Sequence, residues 1–382
     1  MVNIGDKFYV KAADAGIQAK GECGGAVTAI LKYLLENKMV DAVLAMGRGK
    51  DIYDGVPTLV TDPAKISEIS GSLHCAPLLQ SKFLHKYLDD AKGLKIAVVG
   101  VGCDAMAIKK MAEKGVINLD NLVLIGLNCG GTLPPVKAQE MIQKFYEVNP
   151  QDVVKEEIAK GNFIIETKDH QHKEIKIDEL EELGYGRRAN CRRCEVKIPR
   201  VMDIACGNWG VIGSDAGRAT FVEVCSDLGA ELIDGAIKAN AVIATEPIPK
   251  GIEIRDSIEK SMLKLAEKWQ KHDFVDDAKK EEYWLQQFSK CIKCLGCIKV
   301  CPVCLCADCK IESTEPYWFE TNKYPVSPKL QFTRAAHLAS DCVNCGQCED
   351  VCPVEIPLST FFQQSGKDYE RIFKKFDELT SL

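Results

Sequence analysis

The hydrophobic pattern changes period repeatedly along the first 245 residues. GGAVTAILKYLLENK (24–38) sets Val27, Ile30, Leu31, Leu34 and Leu35 on one side of a 3.6-residue spiral, the spacing of an amphipathic helix. Short β-rich runs follow turn or helix signals at DAVLAM (41–46), KIAVVGV (95–101) and NLVLIGL (121–127), and these predict core strands. After Pro134-Pro135, VKAQEMIQKFYEV predicts a second helix. FIIET and EIKI then predict a pair of strands at the domain's edge, and VMDIAC (201–206) and TFVEVC (220–225) predict two more. Alternation of this kind predicts an α/β core, a mixed sheet with flanking helices.

From about 250 to 290 the character shifts. Charged residues surround apolar positions at helical spacing (Ile258, Met262, Leu265, Trp269), with little Gly or Pro, so linking helices are expected. Two CxxCxxCxxxCP runs follow, about 51 residues apart, and a charged, helix-like tail begins at Lys367. The expected division is a core at 1–250, a helical linker at 251–284 and a mainly helical, ferredoxin-like domain at 285–382.

With 382 residues, 46% of them hydrophobic, the chain can bury one large core and a smaller second one. A net charge of −6 lacks the basic excess that phosphate backbones require, so no nucleic-acid partner is expected. No run of 18 apolar residues occurs, and MVNIGDKFYVKAADAG has no basic-then-apolar leader, so neither a membrane span nor secretion is expected. A cytoplasmic location follows. Nineteen cysteines would need an oxidising compartment to serve as disulfides; eleven of them fall between Cys291 and Cys352, which favours metal.

The first run is Cys291, Cys294, Cys297, Cys301, Pro302, and the second is Cys342, Cys345, Cys348, Cys352, Pro353. Three thiolates from one tight loop grip three irons of a 4Fe-4S cubane, and the cysteine ahead of the proline crosses to the neighbouring cluster. One cluster is thus expected on Cys291, Cys294, Cys297 and Cys352, the other on Cys342, Cys345, Cys348 and Cys301. Zinc ribbons are the alternative, but these usually pair two CxxC knuckles. The forty residues between Cys301 and Cys342 exceed what a compact two-cluster ferredoxin needs. Within them Cys304, Cys306 and Cys309 lie outside the motif, as a further metal site or as plain thiols. Arg334 and His337 are candidates to tune a cluster through hydrogen bonds, or to face solvent from a surface helix.

Six separated pieces share one resemblance: CGGAVTAILKYLLE (23–36), ISGSLHCAPL (69–78), KIAVVGVGCDAMAI (95–108), LIGLNCGG (124–131), CRRC (191–194) and MDIACGNWG (202–210). Read in order over residues 20–240, the chain resembles the beta subunits of deazaflavin-reducing hydrogenases and formate dehydrogenases, which act on coenzyme F420. A two-cluster segment placed after that core is similar to the formate dehydrogenase members. The resemblance implies FAD and a third 4Fe-4S cluster in the core. Cys103, Cys129, Cys191 and Cys194 are the candidate ligands, with Cys75 in reserve and Cys23, Cys206 and Cys225 as packing residues. Buried thiols are the bland reading of Cys103 and Cys129.

For FAD, Gly24 and Gly25 before a helix would offer close approach and unpaired N–H groups to a pyrophosphate, with Thr28 adding a hydroxyl; such a pair also serves as an ordinary turn. Ser72, Gly102, Gly207, Asn208 and Gly210 are further candidate flavin contacts. Arg187, Arg188, Arg192 and Arg193 are candidates for the acidic tail of coenzyme F420, or form a solvated basic loop. The implied activity is hydride exchange between coenzyme F420 as substrate and FAD, then single-electron transfer through the clusters, and no catalytic acid or base is demanded. The implied partner is a formate dehydrogenase alpha subunit with a molybdenum or tungsten pterin, and a larger heterodisulfide reductase complex is a further candidate partner. Alternatives are a beta subunit serving a hydrogenase, sulfite reductase or heterodisulfide reductase, a flavin-free polyferredoxin-type carrier, or a zinc-stabilised interaction protein.

Overall fold

In the computed structural model, residues 1–307, 309, 311 and 328–380 are described, 376–380 as backbone alone. Residues 308, 310, 312–327 and 381–382 of the expected C-terminal domain lie outside them. In chain order the strands are β1 (Lys7–Ala12), β2 (Ala42–Arg48), β3 (Gly55–Val60), β4 (Ile96–Gly100), β5 (Leu122–Leu127) and β6 (Val153–Ala159). Then come β7 (Asn162–Thr167), β8 (His172–Lys176), β9 (Ile204–Gly207), β10 (Thr220–Val224) and β11 (Val242–Thr245).

Eight of them form one mixed sheet in the order β11-β1-β10-β9-β5-β4-β2-β3. Its centre, β2, β4, β5 and β9, is parallel, and the flanking pairs are antiparallel. β4 (IAVVG) is buried at every position, as a parallel strand covered on both faces must be. Helices Ala26–Glu36 and Asp227–Lys238 cover one face, packing Ile30, Leu34, Leu232 and Ile233 with Val43, Ala97, Ile125 and Val222. Each such side chain, taken fully out of water, contributes roughly 1.5–3 kcal/mol. The second helix starts where the Ser226 hydroxyl accepts the Gly229 N–H at 3.0 Å.

FIIET and EIKI pair as β7 and β8, but they join β6 in a separate three-stranded sheet. Phe163 and Ile165 of β7 pack with Leu133, Met141, Ile142 and Tyr146 as a second core. The stretch predicted as one helix after Pro134-Pro135 is α-helical over Pro135–Met141 and widens to a π-turn over Ile142–Tyr146.

The chain divides into two compact units that do not follow chain order. The first comprises Met1–Arg188 and Glu195–Lys264; the second comprises Leu265–Leu382 with the short segment Ala189–Cys194. Helix Pro249–Asp273 runs through the expected boundary near residue 250. The described residues of the second unit contain helices and no strand, including Lys280–Ser289, Lys329–Leu338 and Leu358–Thr380. Its nucleus is aromatic: the Phe288 and Phe361 rings meet edge-on at 4.7 Å, with Trp284 stacked on Phe288 at 5.6 Å and Phe332 edge-on to Phe288 at 5.2 Å.

Candidate metal centres

The two cysteine runs of the second unit fold alike. Lys293 and Asn344 both take a left-handed φ (53° and 51°), as do Leu295 and Gly346 (59° and 75°), so each loop coils tightly around its middle cysteine. Short helices Gly296–Lys299 and Gln347–Asp350 then turn each loop's third cysteine inward. One cavity is lined by Cys291, Cys294, Cys297 and Cys352, and a second by Cys301, Cys342, Cys345 and Cys348. Each therefore takes three cysteines from one loop and the pre-proline cysteine of the other.

Donors point at these sulfurs. The Ile356 N–H donates to Cys352 Sγ at 3.4 Å, and Gln331 Nε2 lies 3.8 Å from Cys291 Sγ and 4.0 Å from Cys297 Sγ. Gln331 Oε1 and the Nε and Nη1 atoms of Arg334 are buried with no hydrogen-bonding oxygen or nitrogen among the described residues. Four thiols around each cavity, amide donors on sulfur and unsatisfied polar atoms beside them form a donor set that fits a 4Fe-4S cubane. Among the described residues no three His, Cys, Asp or Glu side chains close on one ion-sized point; a cubane spreads its thiolates over separate irons. Arg334 is buried and His337 exposed. Cys304 and Cys309 are half-buried and Cys306 is exposed.

The segment Ala189–Cys194 belongs to this unit, and its residues are tied down. Arg193 is fully buried: Nε donates to Gln363 Oε1 at 3.0 Å, Nη2 to Ser359 Oγ at 2.7 Å, and Nη1 pairs with Asp273. Its carbonyl accepts from Gln270 at 3.0 Å and Gln363 at 3.2 Å. The Arg192 guanidinium lies over the Trp269 ring at 4.1 Å. Asn190 and Asn344 clamp one another, each side-chain amide donating to the other's carbonyl at 3.0 Å, which holds Cys191 and Cys194 against the loop of Cys342 and Cys345. In the first unit Arg187 makes a two-point pair with buried Glu181, at 2.5 and 3.0 Å, and Arg188 is buried. Arg187, Arg188 and Arg193 are buried and Arg192 half-buried, so they do not make a solvated basic loop. Arginine residues are common in sequence on both sides of that distinction, and only their partners separate the cases.

In the first unit the carboxyl ends of β4, β5 and β9 share one edge of the parallel sheet, where α/β folds present ligands. That edge collects Gly102 and Cys103, which open helix Gly102–Glu113, Cys129 beyond β5, and Gly207 and exposed Asn208 at the end of β9. The glycines are needed by the protein itself. A Cβ at Gly102 would meet the Val196 carbonyl at 2.3 Å, at Gly207 the Asn128 side chain at 2.4 Å, and at Gly210 the Gly251 carbonyl at 2.4 Å. Gly24 (φ +74°) and Gly25 (φ +67°) are likewise backed by the carbonyls of Arg218 and Ile17. The helix after them, Ala26–Glu36, has no side-chain cap, so its first amides are the groups there that suit a pyrophosphate. Thr28 Oγ1 is 3.3 Å from Ser70 Oγ, and Ser72 is exposed.

Several buried groups escape any reading of motif or spacing. Arg255, in a stretch that reads as a charged linker, is buried with its guanidinium over the Phe221 ring at 4.4 Å; Nη2 pairs with Glu223 at 3.4 Å and donates to Asn128 Oδ1 at 3.4 Å. Asp104, beside Cys103, accepts from the Ser81 N–H and hydroxyl, both at 2.8 Å, and burial pushes its pKa up to about 6. Cys75 is buried in the second core and donates to Glu156 Oε1 at 3.4 Å; burial pushes Glu156 up to about 7. Cys206 packs in the main core.

Two models of the family described as "Coenzyme F420 hydrogenase/dehydrogenase, beta subunit" match, its N-terminal part at residues 7–85 and its C-terminal part at residues 93–250, and residues 287–356 match a "4Fe-4S dicluster domain". The F420-dependent formate dehydrogenase subunit beta of Methanocaldococcus jannaschii is 50% identical over 356 residues, covering 93% of this chain and 92% of that one. The chain belongs to the coenzyme F420 hydrogenase/dehydrogenase beta-subunit family. Another member of the family, the F420-dependent formate dehydrogenase 1 subunit beta of Methanococcus maripaludis, is 51% identical over 94% of this chain and 92% of its own. The coenzyme F420 hydrogenase subunit beta of Methanococcus voltae is 24% identical, covering 70% of this chain and 94% of its own. A chain of the solved F420-reducing [NiFe] hydrogenase complex from Methanosarcina barkeri shares the fold, with a TM-score of 0.62, 19% identity, and coverage of 72% of this chain and 93% of that one. Among the described residues no helix is long and apolar enough to cross a membrane.

Proposed function

We propose that this chain exchanges hydride between coenzyme F420 and an FAD held by the first unit, and passes single electrons through 4Fe-4S clusters to or from a formate dehydrogenase alpha subunit in the cytoplasm. One observation carries the choice of formate. The alignments to the formate dehydrogenase subunits, about half identical overall, cover 92% or more of both chains, whereas the hydrogenase subunit is nearly used up by 70% of this chain. The alpha subunit would carry the molybdenum or tungsten pterin, for which neither unit offers a fold of sufficient size.

When bound, FAD accepts hydride as an electron pair and releases electrons singly, which matches a two-electron coenzyme to one-electron clusters. The residues of the chain bind, orient and insulate. The uncapped first turn of helix Ala26–Glu36, with Thr28, and the edge formed by Gly102, Gly207 and Asn208 are the groups that would bind FAD. Cys103, Cys129, Cys191 and Cys194 are the candidate ligands that the family resemblance implies for a third cluster. The Asn190–Asn344 clamp supports an electron route from Cys191 and Cys194 to the Cys342 loop, because it fixes the two segments side by side. Around the two four-cysteine cavities, apolar Leu330, Leu338 and Phe362 exclude water.

The deciding experiment is anaerobic reconstitution of the full chain with iron, sulfide and FAD, followed by assay of reduced coenzyme F420 oxidation with a one-electron dye. Bound FAD with dye reduction is expected. A fully loaded chain that oxidises no coenzyme would overturn the coenzyme assignment, and formate-dependent coenzyme reduction by the chain alone would overturn the need for an alpha subunit.

A further inference from the structure

Helix Lys329–Leu338 carries Gln331 and Arg334 three residues apart, hence on one face, and each is only 2% exposed. Gln331 reaches the sulfurs of Cys291 and Cys297. Arg334 reaches both cysteine sets. Its Nη2 donates to the Cys297 carbonyl at 2.7 Å, while its side chain lines the cavity of Cys301, Cys342, Cys345 and Cys348. Phe362 backs the guanidinium at 4.4 Å.

A guanidinium out of water needs negative charge nearby, because desolvation outweighs anything a single neutral hydrogen bond returns. Among the described residues no carboxylate pairs with Arg334; its Nε and Nη1 make no hydrogen bond to oxygen or nitrogen, and the thiols facing it are those of Cys297, Cys301, Cys304 and Cys348. Among the described residues, the negative charge that this surrounding offers is that of the two cysteine sets, with Cys304 beside them. A cubane with four thiolates is anionic and gains one more negative charge on reduction, and its potential responds to nearby charge and to hydrogen bonds at sulfur. Resting on the cluster reading above, we propose that Arg334 is a shared counter-charge that raises the reduction potentials of both C-terminal clusters together. It acts as a positioning residue for charge, binding neither coenzyme nor substrate. Removing a unit charge at an effective dielectric constant of about 20 changes the reduction equilibrium roughly tenfold even at about 12 Å. For a one-electron couple that is about 59 mV.

The test is a redox titration of the anaerobically purified full chain, followed by electron paramagnetic resonance of the two C-terminal clusters. In Arg334→Gln, with iron content equal to the unsubstituted chain, both clusters are expected to become about tenfold harder to reduce. Arg334→Lys, which keeps the charge but loses the planar fork, is expected to stay within about threefold. Exposed His337→Ala is expected to leave both unchanged. Loaded Arg334→Gln clusters whose equilibria move less than threefold would overturn the proposal. Should Arg334→Gln fail to hold iron, a tenfold displacement in loaded Arg334→Lys would overturn it, and retention within threefold would support it. An unsubstituted chain without cubane signals would instead overturn the cluster reading itself.

Discussion

Replacing Arg193 by Met tests whether the CxxC segment is anchored by its arginine. The change removes the cation from a network in which Asp273 is 13% exposed, Ser359 and Gln363 are buried, and all three bond to one guanidinium. Breaking a buried ion pair by deleting one partner costs about 3–5 kcal/mol, because the other charge stays desolvated. Here His272 Nδ1 lies 2.8 Å from Asp273 at the surface, which relieves part of the penalty, so about 3 kcal/mol is the expected loss. For a unit of this size that is a fall in melting temperature of roughly 10 °C. Melting followed by circular dichroism under anaerobic conditions reads it directly. Arg193→Met/Asp273→Asn removes the stranded charge and is expected to recover about half of the loss. A single variant that melts within about 3 °C of the unsubstituted chain, or a double variant no better than the single, would refute this account of the anchor.

Three further outcomes are expected. Cys352→Ser is expected to remove the cubane signal assigned to Cys291, Cys294 and Cys297, and not that of Cys342, Cys345 and Cys348, by electron paramagnetic resonance and iron content; loss of the other signal would contradict the crossed grouping. Glu156, lifted from 4.5 to about 7 by burial, keeps its proton in the folded chain where the unfolded chain has lost it, so stability falls as pH rises from about 4.5 to 7 and then levels off. The shift corresponds to about 3 kcal/mol, and Glu156→Gln is expected to flatten the melting temperature between pH 5 and pH 8; an unchanged slope would sink the assignment. Gly24→Ala, at φ +74° with its new Cβ 2.2 Å from the Arg218 carbonyl, is expected to cost about 2 kcal/mol or more. Gly5→Ala, at φ +90° but in open space, is expected to cost only about 1 kcal/mol. Equal melting temperatures for the two would show that the close approach is not what Gly24 serves.

Much of the core was legible because a buried parallel strand has to be apolar throughout. KIAVVGV and NLVLIGL announce β4 and β5 without any partner being known. β1, β3, β6 and β11 were not legible: edge and flanking strands such as KFYVKA mix polar and apolar residues, and pairing with neighbours remote in sequence decides their state. The cysteine spacing names eight sulfurs and their chemistry, since iron ligation depends on residue type and short loop length, both local quantities.

Tertiary structure decided the rest. It assigned Ala189–Cys194 to the second unit, through a buried arginine and a reciprocal asparagine clamp that no local pattern encodes. It placed Arg334 beside two cysteine sets with no carboxylate among the described residues to answer it, and buried Arg255 in what reads as a charged linker. Charge in a sequence says only that a group must be solvated or paired; which of the two, and with what, depends on residues dozens or hundreds of positions away.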